Sequence, residues 1–471
     1  MSITLYNSLT KKKEDLSPQA APLLTMYSCG VTVYDDCHIG HGRSLYIFEV
    51  IRRYLKYRGY NVLFVRNITD IDDKIINRAN ELKVDWKDLV KKYIEHYYDD
   101  MKSLGIPKAD VEPCATDNIP GMIAHIEKLI DKNYAYATES GVYFNVRAFA
   151  GYGKLSGQSI EAMLTGVRKE SDENKLDPLD FALWKKSKPG EPSWPSPWGA
   201  GRPGWHIECS VMSTKYLRTD TIDIHAGGRD LIFPHHENEI AQAEALTGRT
   251  FATHWIHHGL LTINGQKMSK SLGNFITIKD ALKKYHPDVI KIFFLQAHYS
   301  SPIDFSDKKM EEAGQAYERM LNLKKKLDDK CAGLPAASGI DPSLPFKEQF
   351  AKYMDDDFNT PRGLSVLFDM ITACNKILDD PDDGSKGEKL SAFRELMQDI
   401  SYIFGFTYQP QRRADVPDDI SDEEIKSLIN KRKEYKAGRK FNEADEIRKS
   451  LEAKGVILED TKGGTTWRRK L

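Results

Sequence analysis

The sequence predicts an α/β fold in which a doubly wound parallel sheet is split by an inserted region and followed by an α-rich half. Three observations carry this. Leu23-Leu-Thr-Met-Tyr-Ser28 is strand-like and ends at Cys29-Gly30; His41 to Arg58 has apolar residues at helical spacing (Leu45, Phe48, Ile51, Leu55) and stops at Gly59; Asn61 to Arg66 is the next strand. Strand, helix, strand in that order implies a right-handed parallel crossover. The pattern resumes far downstream with Thr221 to His225 as a strand, Gly227-Gly-Arg-Asp230 as a tight turn and a helix from about His235 to Leu246. From Lys308 onward the periodicity becomes helical. Ligands of such sheets bind beyond the carboxyl ends of the strands, where Cys29 and Thr69 both fall.

Residues from about 110 to 200 read as the insertion. They hold a helix from Ile119 to Lys132 and a hairpin around Gly141-Val-Tyr-Phe-Asn-Val146. A Pro/Gly-rich stretch follows from Ser187 to Gly204, with Trp194 and Trp198, whose composition predicts a surface lid without regular structure. Helical patterns then run from Met310 to Lys330, Phe346 to Met354, Thr360 to Leu378 and Leu390 to Phe404. A Gly/Pro/Ala connector, Ala332–Pro345, lies between the first two, and another, Gln409–Asp419, precedes a terminal unit. That unit, Asn430 to Leu471, carries 13 Lys+Arg against 7 Asp+Glu. A basic tail with Trp467 among arginines can hold phosphate and stack on a base, or be a solvated helix surface.

Bulk composition narrows the class. A chain of 471 residues suggests about three domains at roughly 150 residues each. Net charge is −1, so no global field advertises nucleic acid. Six unclustered cysteines fit a reducing compartment and not a disulfide scaffold. Met1-Ser-Ile-Thr-Leu5 has no basic region followed by an apolar one, and nowhere do ~18 apolar residues run together. The expectation is a cytoplasmic protein with no membrane partner.

Cys29, Cys209, His235 and Glu239 are candidates for one metal site. His235 and Glu239 are spaced i, i+4, which on a helix puts both on one face. Two distant cysteines would complete a four-coordinate set of S, N and O ligands, the mixture zinc takes. Taken alone, a buried cysteine is as readily a small core residue, and histidines beside glutamates suit a polar helix start. The His-Glu-x-x-His pattern is not met, because Ile240 stands where its second histidine would fall. His38-Ile-Gly-His41 lies where a strand has ended and a helix begins, where free N–H groups and the dipole suit phosphate. Gly40, lacking a side chain, would let an adenine ring pack on the backbone. Lys267-Met-Ser-Lys-Ser271, flanked by Gly265 and Gly273, reads as a cationic clamp for a triphosphate or as an exposed basic loop.

His38–His41 and Lys267–Ser271, in that order around a split doubly wound domain, resemble the signature of class I aminoacyl-tRNA synthetases. With Cys29, Cys209, His235 and Glu239 the chain resembles the bacterial cysteinyl-tRNA synthetase family over nearly its whole length. The likeness includes Asn67-Ile-Thr-Asp-Ile-Asp-Asp-Lys74, Tyr152-Gly-Lys-Leu-Ser-Gly-Gln158, Gly204-Trp-His-Ile-Glu-Cys-Ser210, Phe233-Pro-His-His-Glu-Asn-Glu239, Leu458-Glu-Asp-Thr461 and Trp467-Arg-Arg469. Cys114, where a basic residue is expected, and the Ala332–Pro345 connector depart from it.

The resemblance implies a Rossmann-like catalytic domain in two halves, 1–110 and 201–260, around a connective insertion at 111–200. It further implies a stem-contact region at 261–307, a helical-bundle tRNA-binding domain at 308–408 and a small anticodon-recognition domain at 420–471. One Zn2+ on Cys29, Cys209, His235 and Glu239 would take the thiolate of L-cysteine. His38, His41, Lys267 and Lys270 would serve adenylate formation from ATP with Mg2+, with Gly40 and Asp230 on the nucleoside. Thr69, Trp205 and His225 would wall the amino-acid pocket. Trp467, Arg468 and Arg469 would contact tRNA-Cys, and the chain would act as a monomer. Cys37, Cys114, Cys331 and Cys374 have packing as their default role. Two alternatives stand beside this reading. A related ligase passing cysteine to an amino sugar would not need the α-rich half and basic tail. A tRNA-binding relative without catalysis would not need His38, His41, Lys270 and all four metal ligands.

Overall fold

The computed structural model describes residues 2–166, 174–268, 273–332, 341–381, 384–408, 421–454, 456–461 and 464–469. Two compact units result: Met1–Lys279 with Pro287–Thr407, and Asp280–His286 with Tyr408–Leu471.

The first unit opens with a hairpin, β1 (Thr4–Asn7) and β2 (Lys12–Asp15), and continues with β3 (Leu23–Ser28), α1 (Ile39–Tyr57) and β4 (Asn61–Arg66). Strands β3 and β4 match the sequence reading to the residue; the hairpin of β1 and β2 had no counterpart in it. Two polar helices then follow, α2 (Asp73–Leu82) and α3 (Trp86–Ser103), started by the side chains of Asp72 and Asp85, which accept from Lys74 and Lys87 N–H. The insertion supplies α4 (Ile119–Asp131), β5 (Ala135–Ala137), β6 (Gly141–Phe144), α5 (Ile160–Gly166), β7 (Phe181–Lys186) and β8 (Gly201–Pro203). The doubly wound part resumes with α6 (Trp205–Leu217), β9 (Ile222–Gly228), α7 (Glu237–Thr247) and β10 (Ala252–His258).

The sheet order is β10-β9-β3-β4, all parallel. From β3 the chain runs to β4 on one side and later enters β9 on the other. The switch point therefore lies between β3 and β9, where a crevice opens at the carboxyl ends. Cys29, Asn67, Gly228 and His258 stand at those ends.

Two expectations need correction. The Ser187–Gly204 stretch is not without regular structure: Gly201–Pro203 pairs antiparallel with β7, Trp184 opposite Pro203 and Lys186 opposite Gly201. Trp194 and Trp198 are half-buried edge-to-face partners of Trp86 and Trp184; aromatic packing outweighs the turn-rich composition. The helix expected from His235 begins at Glu237, after a wider turn over Ile232–His236 in which Phe233 is extended (φ −135°, ψ 131°). Pro234 has no N–H to donate, so a regular helix cannot be continued backward through it.

Beyond the sheet come β11 (Leu261–Ile263), β12 (Gln266–Lys267), α8 (Ile278–Lys284), α9 (Pro287–Leu295) and β13 (Ile303–Phe305), then α10 (Asp307–Lys330), α11 (Leu344–Asp355), α12 (Thr360–Asp379) and α13 (Lys386–Phe404). Met310, Tyr317, Met320, Leu367, Met370, Leu396 and Phe404 are buried at helical spacing and make the bundle core. Helix α1 ties the bundle to the sheet: Tyr46 Oη donates to the Phe404 carbonyl at 2.8 Å and Tyr54 Oη to Asp355 at 2.7 Å.

The second unit holds α14 (Asp422–Ala437), α15 (Phe441–Ala453) and a hairpin of β14 (Val456–Thr461) and β15 (Gly464–Arg469). Ile425, Leu451, Val456 and Leu458 form its core.

Candidate metal centre and nucleotide site

Four of the expected ligands converge at the switch point. Cys29 follows β3, Cys209 lies in α6, His235 in the turn before α7 and Glu239 in its first turn. Their ligand atoms all lie within 4.8 Å of one another. Cys29 Sγ is 3.7 Å from Cys209 Sγ and 3.5 Å from Glu239 Oε1, and His235 Nε2 is 3.0 Å from the same oxygen. A second set, Cys29, His225, His236 and Glu239, shares two of these ligands. His236 Nε2 is 3.3 Å from Cys29 Sγ, and this histidine is one the spacing argument did not single out.

The donor chemistry fits a cation. Two thiols, a carboxylate and imidazoles meet where Cys209, His235 and Glu239 are 1%, 1% and 0% exposed. Such a cluster is costly to bury without a positive partner. His235 Nε2 has no hydrogen-bond partner. Burial pushes the Cys29 thiol well above its ordinary value, with Cys209 and Glu239 adding to the shift, and depresses His235 well below the usual imidazole range. A divalent cation reverses the thiol's preference, because a coordinated thiol is deprotonated.

Neighbours orient the candidate ligands. His225 Nε2 lies 2.8 Å from Glu239 Oε2, and its ring stacks on Trp255 at 4.3 Å. His236 Nδ1 is 2.8 Å from His257 Nε2, and His257 Nδ1 is 2.8 Å from Ser8 Oγ. Gly30 is required by close packing: a Cβ there would stand 1.6 Å from the Asn67 carbonyl oxygen.

The other acids around α7 face away from the cluster. Glu237, fully buried, accepts from the backbone N–H groups of Gly153 (3.0 Å), Leu155 (3.2 Å) and Ser156 (2.8 Å). Asn238 Oδ1 accepts from Tyr152 Oη at 2.5 Å. The Tyr152–Gln158 motif is thus a loop wrapped on a carboxylate, which locks the insertion onto the helix bearing Glu239. Asn67–Asp73 works likewise: Asp70 accepts from Thr116 N–H at 2.9 Å, and Asp73 pairs with Lys185 and Arg202.

The expected pocket walls sit beside the cluster. Trp205 stacks on His235 with ring centroids 4.0 Å apart. Thr69 Oγ1 donates to Glu208 Oε2 at 2.8 Å, so its hydroxyl is already engaged by a buried carboxyl that the motif reading passed over.

His38 and His41 stand at the start of α1, rings stacked at 3.6 Å and 18°. His38 caps the helix, its Nδ1 accepting the His41 N–H at 3.2 Å. That bond leaves the ring proton on Nε2, which becomes a donor. Burial lowers His38 to about 4, and burial with His38 alongside depresses His41 well below the usual imidazole range. Two stacked imidazoles are therefore neutral donors near pH 7 and not a pair of cations. At Gly40 the side-chain position is lined by the His38 ring at 3.0 Å and Met268 Cε at 3.5 Å. Asp230 is exposed in the turn after β9, and a Cβ on Gly228 would stand 2.3 Å from its Oδ1. Lys267 ends β12, exposed, its carbonyl accepting from Asn274 at 3.2 Å. Lys270 lies outside the described residues.

Residues 16–315 match the family described as tRNA synthetases class I (C) catalytic domain, and residues 349–409 match the DALR domain. The cysteine–tRNA ligase of Pseudomonas aeruginosa (strain UCBPP-PA14) is 50% identical over 467 residues, 99% of each chain. That of Aquifex aeolicus (strain VF5) is 46% identical, covering 100% of this chain and 99% of its own. The chain belongs to the cysteine–tRNA ligase family.

The fold itself is shared with solved structures of much lower identity. The Mycobacterium tuberculosis methionyl-tRNA synthetase in complex with methionyl-adenylate superposes with a TM-score of 0.61 at 14% identity, covering 81% of this chain and 90% of that one. Two features of this family member were missed in the sequence or read differently there. Arg43, fully buried, reaches five backbone carbonyls, at distances from 2.7 Å to Gly259 and Ser301 up to 3.4 Å to His298. It clamps α1 to the exit of β10; only its place beside the histidine motif could have signalled this. Trp467 is half-buried and packs on the small core of the second unit, so one face is structural. Arg468 and Arg469 lie beside it in β15. Among the described residues no helix is long and apolar enough to cross a membrane.

Proposed function

We propose that the protein activates L-cysteine with ATP and transfers it to the 3′ end of tRNA-Cys, a reading supported by relatives named cysteine–tRNA ligase. In the first step the cysteine carboxylate attacks the α-phosphorus, the bond to the bridging oxygen breaks, and pyrophosphate leaves. His38 donates from Nε2 to the phosphate oxygens and His41 supports it by stacking. Lys267 and Lys270 offset charge on the leaving pyrophosphate, and Asp230 accepts from the ribose hydroxyls. In the second step a terminal ribose hydroxyl attacks the adenylate carbonyl and AMP leaves. Catalysis of this kind is mostly positioning and charge stabilisation, with Mg2+ on the phosphates.

The observation that carries the reading is the buried convergence of Cys29, Cys209, His235 and Glu239 at the carboxyl end of β3, the strand that leads into the loop bearing His38. These four would hold zinc, which when bound supplies a soft Lewis acid that favours a thiolate over a hydroxyl. Apolar packing alone separates cysteine from serine by ~1–3 kcal/mol, short of the ~5 kcal/mol that a 10^4-fold preference needs. Trp205, Thr69 and His225 hold the amino acid's remaining walls. The C-terminal basic unit, with Trp467, Arg468 and Arg469, binds tRNA, and the chain acts as a monomer in the cytoplasm.

Cysteine-dependent ATP–pyrophosphate exchange, followed by charging of transcribed tRNA-Cys, tests both halves. Exchange without charging, with transfer to an amino sugar instead, would favour the alternative ligase.

A further inference from the structure

The segment downstream of the lysine motif is stitched to the loop that carries His38. Ile39 N–H donates to the Ile276 carbonyl at 3.0 Å, and Ile278 N–H donates to the Cys37 carbonyl at 2.9 Å. His38 lies opposite Thr277 in this short antiparallel bridge. That register places Asp36 across from Lys279. Their side chains meet: Lys279 Nζ is 3.2 Å from Asp36 Oδ1, and His96 Nδ1, from α3, is 2.7 Å from the same oxygen. One carboxylate thus joins three segments, the loop before His38, the first turn of α8, and α3.

The bridge also sets the surroundings of the His38 ring. Phe275 meets it edge-on at 5.5 Å and 87°, and Asn274 holds the Lys267 carbonyl. Among the described residues two backbone bonds flank His38, and the Asp36–Lys279 pair one step beyond them adds a cross-strand charge contact that favours this register. Burial raises the Asp36 carboxyl, but the bonds from His96 and Lys279 outweigh it and hold it below its ordinary value. Asp100, buried nearby, is raised by burial to about 6. Asp100 also interacts with Lys279, Asp36, His96 and Asp99, so Lys279 lies among several acids, of which Asp36 is the one at 3.2 Å. Asp35 adjoins Asp36 on the loop, and Asp280 adjoins Lys279 on α8.

We propose that Asp36 is a positioning residue for adenylate formation: through Lys279 and His96 it fixes the segment after the lysine motif against the His38 loop. It touches no reacting atom. Its effect is to hold Phe275 against the His38 ring and to fix the described segment from Asn274 to Lys279, so that the groups on either side meet one triphosphate. This rests on the adenylate-forming reading above.

The test is steady-state, cysteine-dependent ATP–pyrophosphate exchange with the full-length protein. Asp36→Asn and Lys279→Met should each lower kcat roughly 10-fold or more, with cysteine KM and the thermal midpoint little changed. The double variant should be no worse than either single, and Asp36→Glu should recover most activity. Asp36→Lys with Lys279→Asp should outperform Asp36→Lys alone, which keeps the test decisive if the neutral variants fold poorly. Multiplicative losses in the double variant, or changes confined to KM, would overturn the proposal. A wild-type protein without cysteine-dependent exchange would instead overturn the functional reading.

Discussion

His206 Nδ1 lies 2.8 Å from Nδ1 of His235, so a single proton serves the two facing nitrogens. With that proton on His235, His206 accepts, and His235 Nε2 presents a lone pair toward Glu239 Oε1 at 3.0 Å. This is the tautomer a metal requires. The pair couples α6 to the turn before α7, and a neighbour from the same helix as Cys209 sets the chemistry of His235.

His206→Ala should therefore weaken metal retention by ~10- to 100-fold while leaving all four candidate ligands in place. Metal content after dialysis against graded chelator checks this; unchanged retention would show that His235 needs no such partner.

Cys209→Ser, or removal of the metal, should abolish cysteine binding and the preference over serine together. Calorimetric titration with each amino acid reads this without relying on turnover. A metal-free protein that still preferred cysteine by several orders of magnitude would refute the zinc account.

Lys270→Ala should lower kcat for adenylate formation by ~10^2-fold or more, because its charge is needed as pyrophosphate departs. The cysteine KM should hold. A raised KM at constant kcat would mean that the lysine contributes only uniform binding.

Stability should fall as pH drops from about 6.5 toward 4. His125 and His258 are lowered by burial from 6.5 to about 4. Between those values the unfolded chain takes up protons that the folded chain refuses, so unfolding is favoured as pH falls. Each group contributes up to ~3 kcal/mol once pH is below the folded value. Urea midpoints at several pH values should show this slope, and His125→Gln should flatten it by one group's share.

Strand β3, strand β4 and most of α1 were legible in the sequence because their apolar spacing is undisturbed, with Gly30 soon after β3 and Gly59 between α1 and β4. The two polar helices α2 and α3 were not: their buried faces are narrow, as with Leu89, Val90, Tyr93 and Tyr97 among charged neighbours. Helix α6 hid for the opposite reason, being buried nearly all round from Ile207 to Ser213, which leaves no polar face to reveal a period.

For the site, the sequence by itself determined which side chains could do the chemistry: a histidine pair at a strand-to-helix turn, two lysines between glycines, and thiol, imidazole and carboxylate donors in long specific motifs. Only the tertiary structure decided what each does locally. Glu237 and Glu239 are two residues apart, yet one accepts three backbone N–H groups from a loop more than 80 residues upstream and the other faces the thiols. His236, beside an expected ligand, proves to be a competing donor at 3.3 Å from Cys29. Sequence spacing reports which residues share a helix face, but a binding cluster assembled from β3, α6 and α7 depends on how those elements cross. That crossing is set by sheet order and buried packing, which are non-local.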